Sequence, residues 1–169
     1  MRRLMLLRHT KSDWPDGLED HARPLASRGR RAGPLMGSYM ARTGLLPDLV
    51  IVSTARRAQE TWELVRTTFP EPIVTLDERR IYEAPASAIL DVVREIGVDA
   101  RSLLLIGHNP GLQQLALDLI GMADGNDLAR LREKYPTGGL VVIDFDIDSW
   151  KQVDTRAGRL ERFVVPRRL

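Results

Sequence analysis

The chain opens on four apolar residues, Leu4-Met5-Leu6-Leu7, that run straight into Arg8-His9-Thr10. A run this short cannot span a bilayer, and without alternation it reads as a strand buried on both faces of a parallel or mixed sheet. That reading constrains everything after it. A strand covered on both faces needs helices above and below, and so a chain in which strands and helices alternate. It also carries a guanidinium and an imidazole, side by side, to the strand's carboxyl end, where open α/β sheets bind their ligands. A fixed cation beside an imidazole that can be neutral near pH 7 is a means of holding an anion and attacking it.

The alternation is present. Ser27 is placed to cap a helix reaching about Arg42, with Ala32, Leu35, Met36, Tyr39 and Met40 as its apolar face. Pro34 inside that pattern is expected to kink the helix or delay its regular part. Residues 49–52 form a second buried strand, after which Ser53 or Thr54 would cap a helix over about 56–68. A short strand at 73–76 precedes a helix whose apolar face is Ile89, Leu90, Val93 and Ile96 and which ends at Gly97. A fourth buried strand covers 103–106, and the next helix (Leu112, Leu115, Ala116, Leu119) is expected to stop at Gly121. A short helix at about 127–134 leads to strand-like runs at 140–147 and 160–165, which can pair as a hairpin. The expected fold is one α/β domain over residues 1–169: a three-layer α/β/α sandwich around a mostly parallel, mixed central sheet.

At 169 residues, 43% hydrophobic and 28% charged, the chain can bury a sizeable core without covalent staples. It has no cysteine, which removes any disulfide framework and makes a cytoplasmic location the default expectation. Two arginines ahead of an apolar run superficially suggest a signal peptide, but Arg8-His9 interrupts it too early and no small-residue cleavage site follows. No apolar run approaches membrane-spanning length, so no membrane partner is expected. The 25 basic and 23 acidic residues nearly cancel at +2, which gives no general case for a nucleic-acid partner.

Two further strand-to-helix junctions carry unusual residues. In Ser53-Thr54-Ala55-Arg56-Arg57-Ala58-Gln59-Glu60-Thr61, two arginines fall in the first turn of a helix, where the dipole favours an anion and disfavours a cation. In Gly107-His108-Asn109-Pro110-Gly111, a histidine directly follows a buried strand. Each alone is an ordinary surface feature; three on one sheet make a candidate anion site.

Leu-Leu-Arg8-His9-Thr10, Ser53-x-x-x-Arg57-Ala58-x-x-Thr61 and Gly107-His108-Asn109-Pro110 resemble the three signatures of the histidine phosphatase superfamily, which includes the phosphoglycerate mutases. Arg23-Pro24-Leu25-x-x-Arg28-Gly29, Ile81-Tyr82-x-Ala84 and Tyr135-Pro136-Thr137-Gly138-Gly139 are similar to its compact branch, the SixA-type phosphohistidine phosphatases. The resemblance implies a phosphoglycerate mutase-like fold and a hydrolase working through a phosphohistidine on His9, with the other ring nitrogen donating to an acceptor. It implies Arg8, Arg57 and His108 as the clamp around the phosphoryl oxygens, and no metal or other cofactor. Arg56 is expected to face solvent, and Arg23 to touch substrate at the rim or to pair with Asp20. The implied partner is a phosphorylated protein, such as a histidine-containing phosphotransfer domain, or a small phosphoester. Thr10 and Thr54 stand where many relatives have glycine and proline, and Thr10 is expected to narrow the pocket. Glu78 and Glu83 are both candidates for the proton donor, and a nitrogen leaving group lessens the need for one. His21 is expected at the surface, and Trp14 to serve packing rather than substrate stacking.

Other readings differ in what they require. A metal hydrolase using His9, His21 and His108 would lack paired-histidine spacing, and a nucleotide enzyme would lack both glycine-rich phosphate loops. A small-molecule phosphomonoesterase of the same fold is the nearer alternative. A mutase would need a covering insertion that the chain is too short to hold. A non-catalytic phosphoprotein-binding module would not need both His9 and His108.

Overall fold

The computed structural model describes residues 1–169. Its centre is one seven-stranded sheet built from β1 (Arg2–Arg8), β2 (Leu49–Ser53), β3 (Val74–Glu78), β4 (Ser102–Gly107), β5 (Ile120–Ala123), β6 (Leu140–Phe145) and β7 (Gly158–Val164). The strands lie in the order β3-β2-β4-β1-β6-β7-β5. β1, β2, β3 and β4 pair in parallel, while β6 runs antiparallel to both β1 and β7. The sheet is therefore mixed: β6 and β7 make the expected antiparallel pair, and β5 lies at the edge beside β7, parallel to it.

Side chains of the central strands alternate between two cores. Leu4 and Leu6 of β1 join Leu103 and Leu105 of β4 on one face; Met5 and Leu7 join Leu104 and Ile106 on the other. Helices α1 (Ser27–Arg42) and α2 (Arg56–Arg66) cover the second face with Met36, Met40, Ala58, Trp62 and Val65. Helices α3 (Ala86–Arg94), α4 (Gly111–Leu119) and α5 (Asp127–Glu133) cover the first, with Ile89, Val93, Leu112, Leu115 and Leu131 among their buried residues. This is the three-layer architecture read from the sequence. Each fully buried residue of the Leu4–Leu7 run contributes about 1.5–3 kcal/mol. Because the run is apolar on both faces, it is the flanking charges that fix its register: a slip of one residue would draw Arg3 or Arg8 into the core.

Several local expectations are corrected. Ser27 is the first residue of α1 rather than its cap; Ala26 holds that position, and no side chain caps the helix. α1 runs without a break through Pro34. Its buried face is Gly29, Gly33, Met36, Gly37 and Met40, while Leu35 is exposed. The glycines turn inward because α1 packs too close for side chains: a Cβ on Gly33 would lie 2.8 Å from the Leu64 side chain. Neither Ser53 nor Thr54 caps α2, since Ala55 takes that place without a side-chain hydrogen bond. Gly121 does not end α4 as a cap. Ile120 turns extended to pair with Gly158, and Gly121 lies inside β5, a four-residue strand too short to show a pattern.

Gly29 seats α1 against the segment that follows His9. A Cβ built there would lie 2.1 Å from the backbone oxygen of Lys11. Gly29→Ala is expected to cost about 1–3 kcal/mol of unfolding free energy by urea denaturation, because backbone rather than a flexible side chain must move. An unchanged midpoint and slope would contradict this packing.

Candidate active site

The pairing of β1 with β4 sets Arg8 opposite Gly107, so the next residue of each strand, His9 and His108, emerges side by side. The His9 backbone N–H donates to the Gly107 oxygen at 3.1 Å, and the two imidazole centroids lie 5.2 Å apart. β2 lies on the far side of β4 and brings Ser53 to the same end; its Oγ is 2.7 Å from His108 Nε2. Arg57 enters from the first turn of α2, whose positive dipole end points the same way. The four residues singled out from three distant motifs thus meet at the carboxyl ends of parallel strands.

The ring is sealed below. His9 is 6% exposed, Arg57 6% and His108 7%. His9 Nδ1 lies 2.7 Å from the Thr10 carbonyl oxygen, which can only accept; Nδ1 therefore carries the proton and Nε2 is left with its lone pair. Arg8 donates to the Tyr135 carbonyl at 2.9 Å, and the N–H of Gly138, at φ +75°, donates to the Arg8 and His9 oxygens. Thr10 is wholly buried. Its backbone N–H and its hydroxyl both turn to Thr61 Oγ1, and its methyl lies beside Gly138.

One carboxylate ties the upper rim together. Asp20 accepts from Arg57 Nη2 at 3.0 Å, from Arg23 Nη1 at 2.9 Å and from the Tyr82 hydroxyl at 2.5 Å; its backbone oxygen accepts from Arg57 Nη1 at 2.7 Å. Burial works against its ionisation, but the hydrogen bonds from Tyr82, Arg23 and Arg57 outweigh it and hold the carboxyl well below the ordinary range. Arg23, for which substrate contact and an Asp20 pair were the alternatives, forms the Asp20 pair and also reaches Ser12 and the Asp13 oxygen. Trp14 is not packed: it is 72% exposed, with the Arg23 guanidinium stacked 3.2 Å from its ring centre. His21 is half-buried rather than free at the surface. Its Nε2 meets Thr54 Oγ1 at 2.9 Å and its ring packs edge-on against Tyr82.

Two guanidinium groups share the Asp20 carboxylate, Arg8 lies nearby without one, and both imidazoles are shielded from water. Burial first, then the nearby arginines, lowers His9 from 6.5 to about 4. Burial, then His9 and Arg57, lowers His108 to about 3. Both are neutral at pH 7. Four buried side-chain nitrogens in the protein lack a hydrogen-bond partner, and three belong to this cluster: Arg8 Nε, Arg57 Nε and His108 Nδ1. Buried polar groups left this way cost about 1–3 kcal/mol each, so the cluster suits an anion with several acceptor oxygens.

The two glutamates expected as proton donors are placed otherwise. Glu78 is bound to Arg80 through its side chain and the Arg80 backbone N–H, and those contacts lower its pKa. Glu83 is exposed, at φ 50°, and makes no side-chain hydrogen bond. No three histidine, aspartate or glutamate side chains are grouped as metal ligands. The residues that sequence reasoning left without a role in the site are Asp20, Tyr82, Ser53 and the Thr10 carbonyl. Tyr82 stood in a motif with no assigned chemistry, and Ser53 was read as a helix cap.

No family model matches the chain. It is 35% identical over 164 residues to an uncharacterized protein of Mycobacterium tuberculosis, covering 95% of this chain and all of that one. Among solved structures it superimposes on a protein of Agrobacterium tumefaciens with a TM-score of 0.82, at 28% identity and over 98% of both chains. A protein of Nakamurella multipartitia aligns with a TM-score of 0.84 at 24% identity, over 98% of this chain and 96% of that one. Both are provisionally assigned as the phosphohistidine phosphatase SixA.

The depressed imidazole pKa values carry a sign for stability. Between pH 6.5 and about 4 the unfolded chain binds protons at His9 and His108 that the folded chain does not. Stability is therefore fully present above about pH 6.5 and falls below it, by roughly 1.4 kcal/mol per histidine per pH unit. Urea denaturation at pH 7.5, 6 and 5 should show this loss, and His108→Gln should remove about half of it. A profile that is flat over that range would contradict the buried neutral pair.

Proposed function

The chain belongs to the histidine phosphatase superfamily, and we propose that it hydrolyses a protein-borne phosphohistidine through a phosphoryl group carried on His9. The His9 Nε2 lone pair attacks phosphorus; the P–Nε2 bond forms as the bond to the leaving group breaks with its electron pair. The Nδ1–H bond to Thr10 orients the ring and shares the positive charge that develops on it. Arg8 and Arg57 each keep a buried, unpartnered Nε–H, and in this scheme the two guanidinium groups are the donors to the phosphoryl oxygens. Ser53 accepts from the Ala55 N–H at 3.2 Å and can donate its own proton to His108 Nε2. His108 then offers Nδ1–H as a further donor. Water next attacks phosphorus from the opposite side, the P–Nε2 bond breaks, and its electron pair returns to the ring. Arginines and imidazole carry the charge in this scheme, with no step assigned to a metal.

The observation that carries the phosphohistidine reading is the state of Asp20. The carboxyl group that closes the rim is held ionised by three donors, and Glu78 and Glu83 have no bonds into the cluster. A phosphoester leaves as an alkoxide and needs an acid to protonate it. A phosphorylated imidazole leaves as a nitrogen base that is itself readily protonated.

His9→Ala is expected to abolish hydrolysis of a phosphorylated histidine-containing phosphotransfer domain while leaving the thermal midpoint near that of the wild type. Enzyme quenched during turnover should carry phosphate that is released by acid and stable in alkali; the opposite lability would point to a carboxylate nucleophile. Against a panel of sugar and glycerate phosphates, kcat/KM should be highest for the phosphorylated domain, and a preference for one small phosphoester would replace the reading. Activity should survive exhaustive chelation, and its loss would restore the metal alternative.

A further inference from the structure

Beside the catalytic ring, and separate from it, lies a groove of about 910 Å³ whose walls are strongly basic. Lys11, Arg28, Arg31, Lys134, Arg167 and Arg168 line it; all six are exposed, and none makes a salt bridge or a side-chain hydrogen bond. A seventh cation, Arg130, is already paired with Asp127, and Glu133 is the one acidic side chain in the wall. In a chain of 25 basic and 23 acidic residues, this concentration of unpaired positive charge is a property of the fold.

The groove sits at the same end of the sheet as the ring. Lys11 follows the His9-Thr10 turn. Arg28 and Arg31 occupy the first turns of α1. Thr137, in the groove wall, adjoins Gly138, whose N–H binds the His9 oxygen. Arg167 and Arg168 lie in the turn that follows β7. The first turn of α1 holds no acidic residue, although the helix dipole favours acids there and disfavours arginines. Helix stability therefore does not account for these charges.

We propose that this groove receives an acidic stretch of the protein that carries the phosphoryl group, an inference that rests on the phosphoprotein reading above. In the ring, Arg57 is buried and Arg8 half-buried, each held by hydrogen bonds beside the two imidazoles, which suits a single phosphoryl group. The groove's cations are exposed and come from four separate chain segments, which suits charge spread along a polypeptide surface and steers its approach. Its aromatic lining residue, Phe163, is buried, so nucleic-acid bases find no stacking platform.

The test uses the full chain and Arg28→Glu/Arg31→Glu, two exposed changes that also suit the helix dipole. Fluorescent, unphosphorylated peptides of about twenty residues, one rich in glutamate and one with glutamine in its place, are titrated beside an oligonucleotide of equal charge. The glutamate peptide should bind wild type at least about tenfold more tightly than the glutamine peptide at low salt, and the double variant should lose most of that difference. Hydrolysis of p-nitrophenyl phosphate should change by less than about twofold, since that substrate reaches only the ring. Equal affinity for the two peptides, binding that survives charge reversal, or a parallel loss of p-nitrophenyl phosphate turnover would overturn the proposal. Tighter binding of the oligonucleotide would assign the groove to nucleic acid instead. Binding is read without phosphoryl transfer, so a protein with no phosphatase activity would sink the proposed reaction while this measurement still decides the groove.

Discussion

The register between β1 and β4 is the constraint on which the site depends. Arg8 opposite Gly107 places His9 and His108 one step beyond the last paired residues, and no side-chain contact is needed to bring them together. The register holds because the apolar run of β1 is bounded by Arg3 and Arg8, which resist entry into a core that Leu4, Met5, Leu6 and Leu7 fill on both faces. Hydrophobic burial thus sets the geometry of the polar cluster above it.

Charge balance sets the chemistry of that cluster. Arg8, Arg23 and Arg57 crowd round two imidazoles, with Asp20 as the counter-ion of Arg23 and Arg57. Burial is the larger influence on both imidazoles and the arginines add to it, so the rings stay neutral, the state the proposed attack by His9 requires. Asp20 also occupies both terminal nitrogens of Arg57, which fixes the guanidinium and leaves its Nε–H as the unpartnered donor. In the proposed reaction the same carboxylate organises the clamp and is unsuited to act as an acid.

Arginine serves two purposes in this molecule, and burial separates them. Arg23 and Arg57 are held rigidly by hydrogen bonds inside the ring, where planar, directed donors matter. Arg28, Arg31, Arg167 and Arg168 stand exposed and unpaired along the neighbouring groove, where long-range attraction matters more than direction. A formal charge of only +2 conceals this division, because acids and bases that cancel over the chain do not cancel locally.

Much of this was legible in the order of residues. The apolar runs marked β1, β2 and β4, and Arg8-His9, Arg57 and His108 each followed a buried strand, so their convergence could be read before any coordinates. The sequence by itself determined the layered α/β class and the principal polar groups of the site, because buried strands and the residues that end them are local patterns. Only the tertiary structure decided that Asp20 and Tyr82 complete the rim, that His21 reaches Thr54, that three glycines join Met36 and Met40 on the buried face of α1 while Leu35 stays exposed, and that six unpaired cations share one groove. Those outcomes depend on which segments become neighbours across the fold, and neither spacing nor composition along a chain encodes the distance between residues far apart in it.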